Sequence, residues 1–192
     1  MKNVLILHGA DNNSSGNWFP WLEKKLEGLG YNVWLPDLPR PDSPDQDDWV
    51  NFIFSNKEWN FDEDSVIVGH SAGATLVLRI LEKLPSNIKI DKAILVAGFV
   101  EKGTLPQYFK YKLNMLKTPF SWDKIKSSCN LFYFVHSDND KYQCGESQGK
   151  IMRKYLGGEL IIKSREGHLN LEEGERYRQF PEILQLVNKD AV

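Results

Sequence analysis

The sequence has few cysteines, no long apolar run and almost no net charge. Its two cysteines, Cys129 and Cys144, fit no metal-binding spacing. They supply no disulfide framework, which is typical of a reducing compartment. The net charge of -2 creates no field that would attract nucleic acid or an anionic membrane. We therefore expect no metal or other cofactor, no nucleic-acid partner and no membrane partner.

Other features that the sequence lacks narrow the possible classes of protein further. No stretch is long and apolar enough to span a membrane, and the residues before the first strand-like run do not form a signal peptide. A cytoplasmic location is therefore expected. Neither G-x-x-x-x-G-K-[ST] nor G-x-G-x-x-G follows the first apolar run, which argues against a nucleotide-binding protein.

The composition is that of an ordinary folded domain. Of the 192 residues, 41% are hydrophobic and 26% are charged, so the chain can build a core without disulfides or metals. We expect one domain, 1–192. Six apolar runs alternate with helical patterns, at 4–7, 31–35, 65–68, 93–96, 131–135 and 160–162. This alternation predicts an α/β fold with a six-stranded, mostly parallel sheet and helices on both faces, in three layers.

The central motif is Gly69-His70-Ser71-Ala72-Gly73, which joins the run 65–68 to an amphipathic segment ending at Leu84. G-x-S-x-G between a strand and a helix is the pattern of a nucleophile elbow. The glycines are required because the turn is strained and neighbouring chains are close. The motif predicts Ser71 as a nucleophile and the Ala72 N–H as an oxyanion donor. An ordinary glycine-rich turn is the alternative.

A serine nucleophile needs a base and an acid, in the chain order serine, acid, histidine. Of the four histidines only His168 lies late enough, and an exposed loop histidine is the alternative. The acid is expected in the loop after the fifth strand, where residues alone leave Asp138 and Asp140 open. That loop lacks the glycine and glutamate of a calcium-binding EF-hand.

The loop after the first strand is expected to supply the second oxyanion donor. The Ala10 N–H is the first candidate and Asp11 the second, while His8 is expected to satisfy nearby backbone groups. Trp18 and Trp21 lie on a predicted helix, 18–29, capped by Asn17 or Ser15. They are candidates to line the substrate pocket, although such aromatic residues more often belong to the core.

A segment of about 98–122 has no clear period and mixes aromatic residues with lysines. Long insertions in compact domains are often functional, so we expect a cap over the site. A packed surface excursion is the alternative.

Together these residues resemble a known family, the small α/β-hydrolase-fold serine hydrolases typified by retinoblastoma-binding protein 9. The resemblance covers nearly the whole chain. It rests on 4–9, Asn17-Trp18 and Trp21 with 24–27, the elbow, 119–126 with Cys129, and Gly167-His168.

The resemblance implies a single α/β-hydrolase domain with Ser71 as nucleophile, His168 as base and Asp140 as acid. It favours Asp140 over Asp138 because Asn139-Asp140 matches the family's paired acidic positions. Trp122 lies in the most specific matching segment and joins the substrate-binding candidates.

One departure concerns partners. The family's namesake carries an L-x-C-x-E motif for retinoblastoma protein, whereas the matching region here, 56–60, has no cysteine. That partner is therefore not expected. The sequence predicts a serine hydrolase of small carboxylic esters, with thioesters and amides as alternative substrates. The rival hypothesis is a protein-interaction module on a hydrolase scaffold, suggested by the aromatic and lysine residues of 98–122.

Overall fold

The computed structural model describes residues 2–189 and is built on a six-stranded sheet. Its strands are β1 (Asn3–Leu7), β2 (Asn32–Trp34), β3 (Val66–His70), β4 (Ile90–Val96), β5 (Cys129–Ser137) and β6 (Glu159–Lys163). They lie in the order β2-β1-β3-β4-β5-β6, and all five pairings are parallel. The predicted sheet is confirmed.

Within residues 2–189, seven α-helices connect and cover the strands. They are α1 (Phe19–Gly28), α2 (Gln46–Ser55), α3 (Ala72–Lys83), α4 (Phe109–Lys112), α5 (Trp122–Ser127), α6 (Glu146–Leu156) and α7 (Pro181–Asn188). Helices α1 and α7 pack together on one face, and α2, α3, α5 and α6 form a layer on the other. The three-layer prediction is confirmed. None of the helices in residues 2–189 combines the length and apolar character of a membrane span.

The most deeply buried elements lie at the centre of the sheet. Every residue of β3 is buried, and so are the first ten residues of α3. A parallel strand covered on both faces is apolar throughout, which explains the continuous runs in the sequence. The turn that joins β3 to α3 therefore sits between two rigid elements.

The start of α1 differs from the predicted one. The helix begins at Phe19, and no side chain caps it. Asn17 has a left-handed φ of 47°, and its Oδ1 accepts a hydrogen bond from the Leu171 N–H at 3.2 Å. The prediction that Asn17 or Ser15 caps this helix is wrong, because Asn17 holds a distant loop instead.

The segment 98–122, which we call the cap segment, contains no strand. Two 3-10 turns, Pro106–Tyr108 and Leu113–Met115, flank the single turn of α4, and the chain then enters α5. The segment leaves the carboxyl end of β4, next to the β3–α3 turn, because β4 pairs with β3 along its length.

Candidate active site

The β3–α3 turn holds Ser71 in a strained conformation, as the motif predicts. Its φ of 57° and ψ of -122° are rare for a residue with a side chain. A Cβ on Gly69 would lie 2.5 Å from the Gly73 carbonyl oxygen, and one on Gly73 would lie 2.4 Å from the His8 carbonyl oxygen. Neither position tolerates a side chain, so the predicted need for glycine is confirmed.

His168 and Asp140 form a short hydrogen bond at the same edge of the sheet. His168 Nδ1 donates to Asp140 Oδ2 at 2.7 Å, because a carboxylate only accepts. The Asp140 side chain is fully buried, and its other oxygen accepts from the Tyr142 N–H at 2.8 Å. Burial by itself raises the pKa of Asp140, but His168 and the Tyr142 N–H outweigh it and hold that pKa below its usual value. The carboxylate is therefore charged at neutral pH.

Asp138 occupies a different position, and the structure separates the two candidates. Its carboxylate accepts from the Arg165 N–H at 2.7 Å and from Ser164 Oγ at 3.1 Å. These bonds lower the pKa of Asp138, the backbone one most strongly. Asp138 thus supports the backbone of the loop, whereas Asp140 contacts the imidazole.

Residues 137–140, at the end of β5 and directly after it, form hydrogen bonds with the loop that carries His168. We call residues 137–142 the acid loop and residues 164–169 the histidine loop. Ser137 Oγ accepts from the Glu166 N–H at 3.0 Å, and Asn139 Oδ1 accepts from the Gly167 N–H at 2.8 Å. With the Asp138 and Asp140 bonds, the two loops are joined along their whole length.

Two side chains from the other side of the site hold the histidine loop. His70 Nε2 donates to the His168 carbonyl oxygen at 2.9 Å, and Trp18 Nε1 donates to the Leu169 carbonyl oxygen at 3.1 Å. The loop needs such support because Arg165, Gly167 and Leu169 all have left-handed φ values. His70 is fully buried, and burial lowers its pKa to about 3, so it donates as a neutral ring.

The predicted oxyanion donors lie on either side of Ser71. Ala72 is the first residue of α3, where the backbone N–H groups have no partner within the helix. A Cβ on Gly9 would lie 2.8 Å from Ser71 Cβ, which places the next residue, Ala10, close to Ser71. The Asp11 N–H donates to the Pro41 carbonyl oxygen at 2.8 Å. Ala10 is therefore the better of the two candidates.

A cavity of about 300 Å³ opens onto these groups. Its wall contains Ser71, His168, Ala10 and Ala72. Aromatic residues form another part of the wall: Phe99, Tyr108, Tyr111 and Tyr142. The Tyr142 ring packs edge-on against His168 at 4.6 Å, and Glu172 accepts from its hydroxyl at 2.8 Å.

The three tryptophans predicted at the pocket lie elsewhere. Trp18 is fully buried in the core, where its indole N–H supports the histidine loop. Trp21 packs against the core from α1. Trp122 stacks on Tyr155 at 4.7 Å, away from the cavity. Two other aromatic residues of the cap segment, Tyr108 and Tyr111, reach the cavity instead.

The remaining histidines have structural contacts. His8 Nδ1 donates to the Gly9 carbonyl oxygen and its Nε2 accepts from the Leu38 N–H, each at 2.8 Å, so the predicted backbone role is confirmed. His136 Nδ1 donates to the Cys144 carbonyl oxygen at 2.7 Å. Both cysteines are buried and free.

Comparison with known proteins identifies the family of the chain. A family model described as serine hydrolase matches residues 4–189. YdeN of Bacillus subtilis is 35% identical over 100 residues, which span 52% of this chain and about half (52%) of YdeN. The crystal structure of the B. subtilis ydeN product matches with a TM-score of 0.85 and 27% identity, covering 98% of this chain and 97% of that one.

Two more distant relatives extend the comparison. The serine hydrolase RBBP9 of Rattus norvegicus is 24% identical over 181 residues, 94% of this chain and 89% of the relative. Est1E of Butyrivibrio proteoclasticus, solved with ferulic acid, has a TM-score of 0.69 at 13% identity and covers 97% and 86% of the two chains. The similarity to Est1E shows that the two chains share a fold.

Proposed function

Because the chain belongs to the serine hydrolase family, we propose that it cleaves small carboxylic esters through an acyl-enzyme formed on Ser71. One observation carries the proposal: the 2.7 Å bond between His168 and Asp140 lies at the same cavity as the strained Ser71. A serine held in this conformation, with an oriented imidazole nearby, is what acyl transfer requires.

In the proposed mechanism His168 is the base. Its Nδ1 proton is committed to Asp140, so the unprotonated Nε2 is the atom that takes the proton from Ser71 Oγ. Within residues 2–189, Ser71 Oγ forms no hydrogen bond, and its contact with Nε2 is expected to form as substrate binds. Asp140 stabilises the imidazolium without taking a proton.

The carbonyl carbon of the ester then accepts the Ser71 oxygen. Negative charge moves to the carbonyl oxygen, where the N–H groups of Ala72 and Ala10 donate to it, each contributing about 2.7 to 4 kcal/mol. His168 returns its proton to the leaving alcohol as the carbon–oxygen bond breaks. A water molecule, deprotonated by His168, attacks the acyl-enzyme and releases the acid.

The size of the cavity favours small substrates. At about 300 Å³ it lies at the lower end of the range for ligand pockets. The aromatic wall of Phe99, Tyr108, Tyr111 and Tyr142 favours an apolar acyl or alcohol group. We propose that the cap segment closes the site and sets this limit, with thioesters and amides as alternative substrates to test.

Covalent labelling tests the nucleophile. A fluorophosphonate probe is expected to label the protein at one site, and Ser71→Ala is expected to abolish labelling while circular dichroism shows an unchanged fold. Ser14→Ala, at a half-buried position in the loop before α1, is the control and is expected to retain labelling. Full labelling of Ser71→Ala would exclude Ser71 as the nucleophile.

Turnover of p-nitrophenyl esters tests the substrate class. Acetate and butyrate esters are expected to be better substrates than palmitate, because the cavity is small. Equal kcat/KM for all three esters would contradict the size limit. Labelling without turnover of any ester, thioester or amide would favour the protein-interaction hypothesis.

A further inference from the structure

Cys144 is a buried thiol that the proposed mechanism does not use. It is 1% exposed, and it lines the same cavity as His168. One ligand atom each from Cys144, Asp140 and His168 lie within 4.8 Å of one another. Within residues 2–189 no other group of three cysteine, histidine or acidic side chains is as compact.

The fold fixes the backbone that carries this thiol. His136 binds the Cys144 carbonyl oxygen, and a Cβ on Gly145 would lie 2.7 Å from the Ser137 carbonyl oxygen. The backbone at 144–145 is thus pressed against the end of β5. The Sγ atom lies 3.6 Å from the Tyr142 carbonyl oxygen, and the Lys112 ammonium lies beside it.

The three donors belong to the set that binds zinc. Thiolate, imidazole nitrogen and carboxylate oxygen are its usual protein ligands, with bonds of about 2.0 to 2.3 Å. Tetrahedral bonds of that length put neighbouring donor atoms roughly 3.3 to 3.8 Å apart. Reaching that spacing from 4.8 Å requires the Cys144 sulfur to move closer by about 1 Å, and the His168–Asp140 pair, now 2.7 Å apart, to open by roughly 0.6 to 1.1 Å. Cys144 and His168 both line the cavity, so a water molecule there is expected to complete the tetrahedral set.

We propose that Asp140, Cys144 and His168 form an inhibitory site for Zn²⁺ and similar thiophilic divalent cations. On binding, the thiol proton leaves to solvent, and the imidazole proton moves through solvent from Nδ1 to Nε2. One thiolate and one carboxylate then balance the two charges of the cation, while the Lys112 ammonium, which donates to the Tyr142 carbonyl oxygen at 2.8 Å, adds one positive charge beside the site. The imidazole keeps its proton on Nε2 and no longer accepts one from Ser71.

Metal binding is measured without reference to activity. Equilibrium dialysis of the metal-free protein is expected to find one tight Zn²⁺ site, and Cd²⁺ is expected to give a thiolate charge-transfer absorption. Cys144→Ala is expected to weaken Zn²⁺ binding by at least about tenfold and to remove the absorption. Cys129→Ala is the matched control: it removes the other buried thiol, at the start of β5, and leaves both signals intact.

Inhibition is then compared with binding. Zn²⁺ is expected to block fluorophosphonate labelling over the concentration range in which it binds, and a chelator is expected to restore it. The inhibitory effect rests on the proposed function, but the binding measurements do not. Absent labelling in metal-free protein would therefore reject the function and leave the site to be judged by dialysis.

Two results would overturn the proposal. The first is Zn²⁺ affinity in Cys144→Ala equal to that of the wild type, and the second is Cd²⁺ absorption that disappears in Cys129→Ala instead. If Cys144→Ala does not fold, Cys144→Ser provides the same comparison, because it keeps the size of the side chain and removes the sulfur.

Discussion

The nucleophile elbow, residues 69–73, and the histidine loop are held in place by opposite means. The elbow relies on close backbone packing, since a Cβ on Gly69 or Gly73 would lie within 2.5 Å of a carbonyl oxygen. The histidine loop relies on side chains, including Asp138 and Asn139 on one side and His70 and Trp18 on the other. Added side-chain atoms should therefore destabilise the elbow, whereas the loss of hydrogen bonds should destabilise the histidine loop.

The largest expected effect separates the two aspartates of the acid loop. Asp140→Asn is expected to lower kcat by about 10⁴-fold, because the amide does not hold the imidazole in the required tautomer. Asp138→Asn keeps an acceptor for the Arg165 N–H and is expected to retain most activity. Steady-state kinetics on one ester, or the rate of fluorophosphonate labelling, measures both variants. A greater loss in Asp138→Asn would reverse the assignment.

The next effect tests the packing of the elbow. Gly73→Ala is expected to lower the free energy of unfolding by about 3 kcal/mol, because its Cβ would meet the carbonyl oxygens of His8 and Leu7. Gly28→Ala is the control: no atom lies within 4 Å of its added Cβ, and the helix gains about 0.5 to 1 kcal/mol. Urea unfolding measures both, and equal stability of the two variants would refute this account of the elbow.

A smaller effect tests the side-chain support of the histidine loop. Asn139→Ala removes the acceptor of the Gly167 N–H and of Ser137 Oγ, and it is expected to cost about 1 to 2 kcal/mol of stability. Activity should fall as well, because the loop positions His168. Asn139→Asp keeps an acceptor oxygen and is expected to lie closer to the wild type. A fully stable and active Asn139→Ala would show that the loop does not need this bond.

The pH dependence of stability tests the two buried histidines, His70 beside the elbow serine and His136 at the end of β5. Burial lowers the pKa of His70 to about 3 and that of His136 to about 4, so both rings stay neutral in the folded chain where the unfolded chain binds protons. Stability is therefore complete above pH 6.5 and decreases as pH falls toward those values. The expected slope is about 1.4 kcal/mol per pH unit for each ring.

A variant isolates one of these contributions. His136→Asn can still donate to the Cys144 carbonyl oxygen but does not titrate, so its stability should decrease less steeply between pH 6 and pH 4. Urea unfolding at several pH values, in the presence of a chelator, provides the measurement. Parallel curves for the variant and the wild type would show that His136 does not contribute.

Local patterns explain what could be predicted from the sequence. The order of strands and helices, the elbow and its glycines follow from apolar runs and from steric rules that act over a few residues. Helix α3, which ends at Lys83 with Leu84 as its C-cap, matches the predicted amphipathic segment that ends at Leu84, because its apolar spacing is local. His168 was identifiable because chain order leaves one histidine in the right place.

Contacts between distant residues explain what could not be predicted. Trp18 and Leu169 are 151 positions apart, and His70 and His168 are 98 apart, so no local pattern indicates that these pairs are bonded. The same limit applies to the cavity wall, because no local pattern indicates that Phe99 and Tyr142 line it. The position of Tyr142 two residues after Asp140 was the signal available for it.

The register between the acid loop and the histidine loop sets a limit on their lengths. Each residue from Ser137 to Asp140 has its own partner in the facing loop, and Asp140 is the last of the four. A single residue inserted before Asp140 would preserve every side chain of the site and still carry the carboxylate past the imidazole. In this protein the number of residues between β5 and Asp140 therefore matters to the candidate site as much as the identity of the residue at its end.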